Sequence, residues 1–105
     1  MHRLYLVAPG PRPFFGDLAR HLWGRDCDFD SDGNDDRPPP GGWTELTVAL
    51  RPDGTQRVDV DPLDGEQPLV LVVRSEQAAL AQAAASFLQA QTGAELRHAS
   101  PPGRG

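Results

Sequence analysis

Leu46-Thr47-Val48-Ala49-Leu50-Arg51-Pro52-Asp53-Gly54-Thr55-Gln56-Arg57-Val58-Asp59-Val60-Asp61 is the stretch on which the fold turns. Leu46, Val48 and Leu50 alternate with Glu45, Thr47 and Arg51, the period of a strand with one dry face and one wet face. Arg51-Pro52-Asp53-Gly54-Thr55 has hairpin chemistry, because proline presets φ for a turn and glycine takes positive φ without steric cost. The chain returns with Val58 and Val60 inward and Arg57, Asp59 and Asp61 outward. A hairpin with one dry face needs an apolar cover.

Segments on either side supply that cover. Leu4 to Ala8 reads as a short strand, ended by Pro9-Gly10-Pro11-Arg12-Pro13. Phe14, Leu18 and Leu22 then recur at helical spacing, with Phe15, Ala19 and Trp23 on the adjacent row and Gly24 as a stop. Downstream, Leu69-Val70-Leu71-Val72-Val73 is uninterruptedly apolar, as a central strand covered on both faces would be. Ser75 and Glu76 suit the start of a second helix, which buries Leu80, Ala84, Phe87 and Leu88 and runs to Thr92, where Gly93 caps it. Residues 94–98 form a last short strand. The order β-α-β-β-β-α-β predicts an α+β fold. Its architecture is a two-layer sandwich, with a four- or five-stranded mixed sheet and both helices on one face. Leu71, Val48 and Phe87 are expected where sheet and helix meet.

A chain of 105 residues affords one domain, read as 1–99 with an acidic, Pro/Gly-rich insertion at 25–42 and a disordered tail at 100–105. The net charge of −5 and the scattered arginines argue against a nucleic-acid footprint, and no apolar run approaches membrane-spanning length. Lysine and isoleucine are absent while alanine, glycine, proline and arginine abound, the coding bias of a GC-rich bacterial genome. The single cysteine excludes an internal disulfide. The N-terminal apolar run is too short for a signal-peptide core, so the expected address is cytoplasmic.

The insertion holds six aspartates between Asp26 and Asp36. Asp28, Asp30, Asp32 and Asp36 fall at positions 1, 3, 5 and 9 of a D-x-D-x-D-G-x-x-D pattern, with Gly33 at position 6. Locally this resembles the calcium loops of EF-hands and, because Pro39 stands where a bidentate glutamate belongs, more closely their helix-less relatives. The resemblance implies calcium as cofactor, with side-chain oxygens from Asp28, Asp30, Asp32 and Asp36 and the backbone carbonyl of Asn34 as ligands. The competing reading is a solvated acidic insertion that binds no metal.

No catalytic set is legible. Cys27 lies between Asp26 and Asp28, negative neighbours that oppose the thiolate a nucleophile needs, and no cue brings His2, His21 or His98 to it. His21 follows Asp17 by one helical turn, where a local contact accounts for it. Trp23 and Trp43 flank the acidic insertion, and Trp43 reads either as core or as an interface anchor. The expectation is a non-enzymatic module without cofactor that binds another protein, one of basic character. Its binding surface would comprise Asp35, Asp36, Trp43, Glu45, Asp59 and Asp61. A toxin-neutralising, immunity-type protein is one instance suggested by size and charge. Weak calcium binding at residues 28–36 is the alternative.

Overall fold

A computed structural model describes residues 2–33, 43–52, 54–63 and 69–98. Along the chain these form β1 (His2–Val7), α1 (Phe15–Trp23), β2 (Phe29–Gly33), β3 (Leu46–Leu50), β4 (Arg57–Pro62), β5 (Val70–Ser75), α2 (Ala78–Thr92) and β6 (Glu95–Arg97). The strands make one sheet in the order β2-β3-β4-β5-β1-β6, and every neighbouring pair is antiparallel.

The α+β class holds, while the expected four- or five-stranded mixed sheet is corrected to six antiparallel strands. There are two reasons. First, β1 inserts between β5 and β6, so α2 carries the chain across β1 instead of to a parallel neighbour. Second, the acidic segment, read as irregular, contributes β2. Aspartate is a poor strand former, yet at an exposed edge its carboxylate stays hydrated while Phe29 packs against the core.

The register places one apolar row across four strands: Leu4 opposite Val73, Val73 opposite Val60, and Val60 opposite Leu46. Leu6 lies opposite Leu71 and Val48 opposite Val58. Both helices cover this face. Leu18 and Ala19 of α1 are buried there with Leu80, Ala84 and Leu88 of α2. The expected contribution of Phe87 is corrected: it is only partly buried, and Leu88, fully buried, occupies the central position.

The second helix begins at Ala78 instead of Ser75. Ser75 remains in β5, where its hydroxyl donates to the Arg57 carbonyl at 2.7 Å and accepts from the Gln77 amide at 3.2 Å. Pairing with His2 of β1 and the hydroxyl bond to β4 thus outweigh the cap. At the far end Gly93 takes φ 72°, the left-handed stop expected from its sequence position. Trp43 is fully buried, which removes it from the expected binding surface. Its indole N–H donates to the Pro13 carbonyl at 2.7 Å, and Arg12 Nε donates to the Trp43 carbonyl at 2.7 Å. The tryptophan therefore pins the segment leading into α1 against the strand layer. No helix among the described residues is long and apolar enough to cross a membrane.

Candidate functional site

Asp28, Asp30 and Asp32 alternate with Phe29 and Ser31, which is strand periodicity written in aspartate. What lets these carboxylates stand in a row is Arg51, the first residue after β3. Its Nε donates to Asp30 Oδ1 at 2.9 Å, its Nη2 bonds the same oxygen, and Asp28 Oδ1 lies 3.9 Å from Nε. The hydrogen bond to Asp30, then the charges of Asp30 and Asp28, raise the guanidinium above its ordinary pKa. Asp28 and Asp30 remain 79% and 63% exposed at the side chain, so solvent screens the pairing and the edge keeps its negative character.

Backbone geometry decides which way the strand faces. The Arg51 amide donates to the Asp28 carbonyl at 2.9 Å, and the Leu50 amide donates to the Gln56 carbonyl at 2.9 Å. Residues of β3 therefore bond alternately to β2 and to β4. By the same alternation Asp28, Asp30 and Asp32 turn their peptide groups toward β3. Phe29, Ser31 and Gly33 turn theirs outward. Gly33 is required where it stands, since a Cβ there would meet the Glu45 carbonyl at 2.8 Å.

The sheet face opposite the helices carries a second acidic feature. Asp32, Glu45 and Asp61 surround a hollow of about 260 Å³ together with Gly33, Leu46 and Thr47. The fold brings Glu45 and Asp61, both expected on the binding surface, beside Asp32, one of the ligands that the calcium-loop resemblance implies. Asp61 also pairs with Arg74.

Asp59 belongs to a different environment, and its place on the expected exposed surface is corrected. Only 8% exposed, it accepts from Thr47 Oγ1 at 2.6 Å, Arg57 Nη2 at 3.0 Å and Arg57 Nε at 3.2 Å. The alternation was right about its face, but the surrounding side chains close over it. The hydrogen bond from Arg57 to Asp59, and then the charge of Asp59, raise the Arg57 guanidinium above its ordinary pKa.

Asn34, Asp35 and Asp36 lie outside the described residues. Among the described residues, no three or more histidine, cysteine, aspartate or glutamate side chains are grouped to hold a metal ion. Cys27 is partly buried, its Sγ 3.7 Å from the Ala19 carbonyl. The expected contact between Asp17 and His21 is replaced by two others. Asp17 meets Arg20 at 3.6 Å, and the His21 ring stacks on Phe87 with centroids 4.5 Å apart. Phe87 of α2 gives the imidazole on α1 an apolar surface to stack on.

Sequence reasoning missed Arg51 and Thr47 as organisers of this surface. For Arg51 no local signal existed, because its main partner Asp30 is 21 residues away along the chain. The strand at 29–33 did carry a signal, the same period-two alternation that identified 46–50. The chain matches no known protein family, no curated protein and no solved structure.

Proposed function

We propose that this protein is a binding module for another protein of basic character, engaged through the acidic end of its sheet. One observation supports this reading above the others: Asp28, Asp30 and Asp32 are set in a row on an exposed edge strand, with Glu45 and Asp61 on the adjoining face. Carboxylates arranged in this way produce a directed negative field, which speeds encounter with a positive partner more than it prolongs the complex. Arg51 shows the kind of group the row accepts, since it is a guanidinium seated across Asp28 and Asp30.

The test is kinetic. Partners captured at low salt are measured against the wild type, against the Asp28→Asn, Asp30→Asn, Asp32→Asn triple variant and against Arg51→Ala. The triple variant should slow association by about tenfold at low salt and leave dissociation nearly unchanged, whereas Arg51→Ala, which exposes more negative charge, should accelerate association. A partner indifferent to all four positions removes this reading.

A further inference from the structure

We propose that the outer edge of β2 takes up an extended segment of the partner as a further strand, and that this segment carries arginine or lysine at every second position. This mode of binding presupposes the protein-binding reading above and specifies the ligand's chemistry. β2 ends the sheet, and among the described residues it pairs with β3 alone. Phe29, Ser31 and Gly33 direct their amides and carbonyls away from β3, as the hydrogen bond from the Arg51 amide to the Asp28 carbonyl requires. An incoming backbone meets these groups as strand addition demands, with main-chain bonds supplying affinity and alternate side chains supplying specificity.

The side chains of β2 select the occupant. An added strand would run about 4.8 Å away, with every second residue in the row of Asp28, Asp30 and Asp32. Opposite charges side by side on neighbouring strands are stabilising and like charges are destabilising. A second copy of this chain pairing through β2 would set aspartate against aspartate, so the edge discourages self-association while remaining open to a basic strand. The intervening residues of the ligand would lie on the side of Phe29, which is partly buried against the core, and should be small or apolar. The hollow formed by Asp32, Glu45 and Asp61 lies on the carboxylate side of the sheet. An arginine stem reaching across β2 would bring a guanidinium to it. The strand at the other end, β6, has only three residues and offers a shorter edge.

The experiment uses the full chain and three synthetic nonapeptides. One alternates arginine with valine and threonine, one has the same sequence with alternate backbone nitrogens methylated, and one gathers the same arginines into a block. Affinity is measured by calorimetry at low and high salt, and amide exchange is followed by NMR. The alternating peptide should bind in a salt-dependent manner and slow exchange at Phe29, Ser31 and Gly33. The methylated peptide, which keeps the charge but loses main-chain bonds, should bind about tenfold or more weakly. Ser31→Pro removes an outward N–H while retaining every bond to β3, and should weaken the alternating peptide similarly. Equal binding of the methylated peptide and of Ser31→Pro, with loss in Asp30→Asn and Asp32→Asn, would overturn strand addition and leave the acidic-surface reading standing. Equal binding of the blocked peptide would overturn the alternating requirement. Protection of the edge that rises with protein concentration before any peptide is added would assign it to a second copy and likewise overturn the proposal. Absence of peptide binding, or binding indifferent to the aspartates, would sink both readings.

Discussion

Asp59 shows how one residue can be polar, outward along its strand and still part of the structure's interior. Thr47 and Arg57 satisfy it from the neighbouring strand and from its own; truncation would leave the Thr47 hydroxyl without its acceptor, while the Arg57 guanidinium, 58% exposed, turns to water. Asp59→Ala should cost about 1–3 kcal/mol in denaturant unfolding, and Thr47→Val less. The raised pKa values of Arg57 and Arg51 carry a definite sign. A group whose folded pKa lies above its unfolded one contributes its stability below the unfolded value and loses it as pH climbs through the folded one. For an arginine that window lies in strong alkali. The stability difference between wild type and Arg57→Gln should therefore stay constant from about pH 6 to about pH 10, and a drift across that range in urea unfolding would contradict the pairing. Trp43 belongs with these residues, since burial of its ring and one indole bond to Pro13 tie together segments thirty residues apart.

Among the elements, α2 is the one whose interior and rim residues differ most clearly from a simple helical stripe. Leu88 is fully buried, and Phe87 is only partly buried against the core, with His21 stacked on it. Leu88→Ala should cost about 2–5 kcal/mol, while Phe87→Ala should cost less than about 2 kcal/mol, reversing the order suggested by side-chain size alone. Measured thermal or urea unfolding of the two variants decides it. Gly93 at φ 72° meets no atom within 4 Å of an added Cβ, so the penalty for Gly93→Ala is conformational and should be about 1 kcal/mol. β2 is the opposite case, an element made of poor strand formers. It holds its place through pairing with β3, the packing of Phe29 and the cation supplied by Arg51.

At the scale of the molecule, the sheet is two edges around inner strands whose helix-facing side is dry. β5 and β1 lie inside it and β2 and β6 bound it, so amide exchange should be slowest at Leu4, Leu6, Leu71 and Val73 and fastest in the outer strands. Replacing residues 26–33 with a Gly/Ser linker of equal length would uncover the outward peptide groups of Thr47, Ala49 and Arg51. The expected result is a loss of about 2–3 kcal/mol together with concentration-dependent self-association, because β3 lacks the aspartates that guard the natural edge. Sedimentation of that variant checks the second half, and a monomer with unchanged melting would show that β2 adds nothing to the fold.

Periodicity within a few residues settled much of this protein before any contact was known. Alternation at 46–50 and 57–61, the apolar run at 69–73 and the two helical stripes specify strands and helices because side-chain direction repeats with the local backbone. Glycine at 24 and 93 marks both helix ends, since each takes a positive φ that other residues resist. What tertiary structure alone decided was partnership. That β1 would slip between β5 and β6, making every pairing antiparallel, depends on which apolar faces close over which helix, and no spacing along the chain encodes it. The pairing of Arg51 with Asp30 and Asp28, the enclosure of Asp59 and the meeting of Asp32, Glu45 and Asp61 likewise join residues far apart in sequence. Charge along the chain foretold an acidic surface. Where that surface lies, and which of its carboxylates remain open to a partner, follows from the cross-strand register, because each strand's neighbours determine which charges are paired and which stay in water.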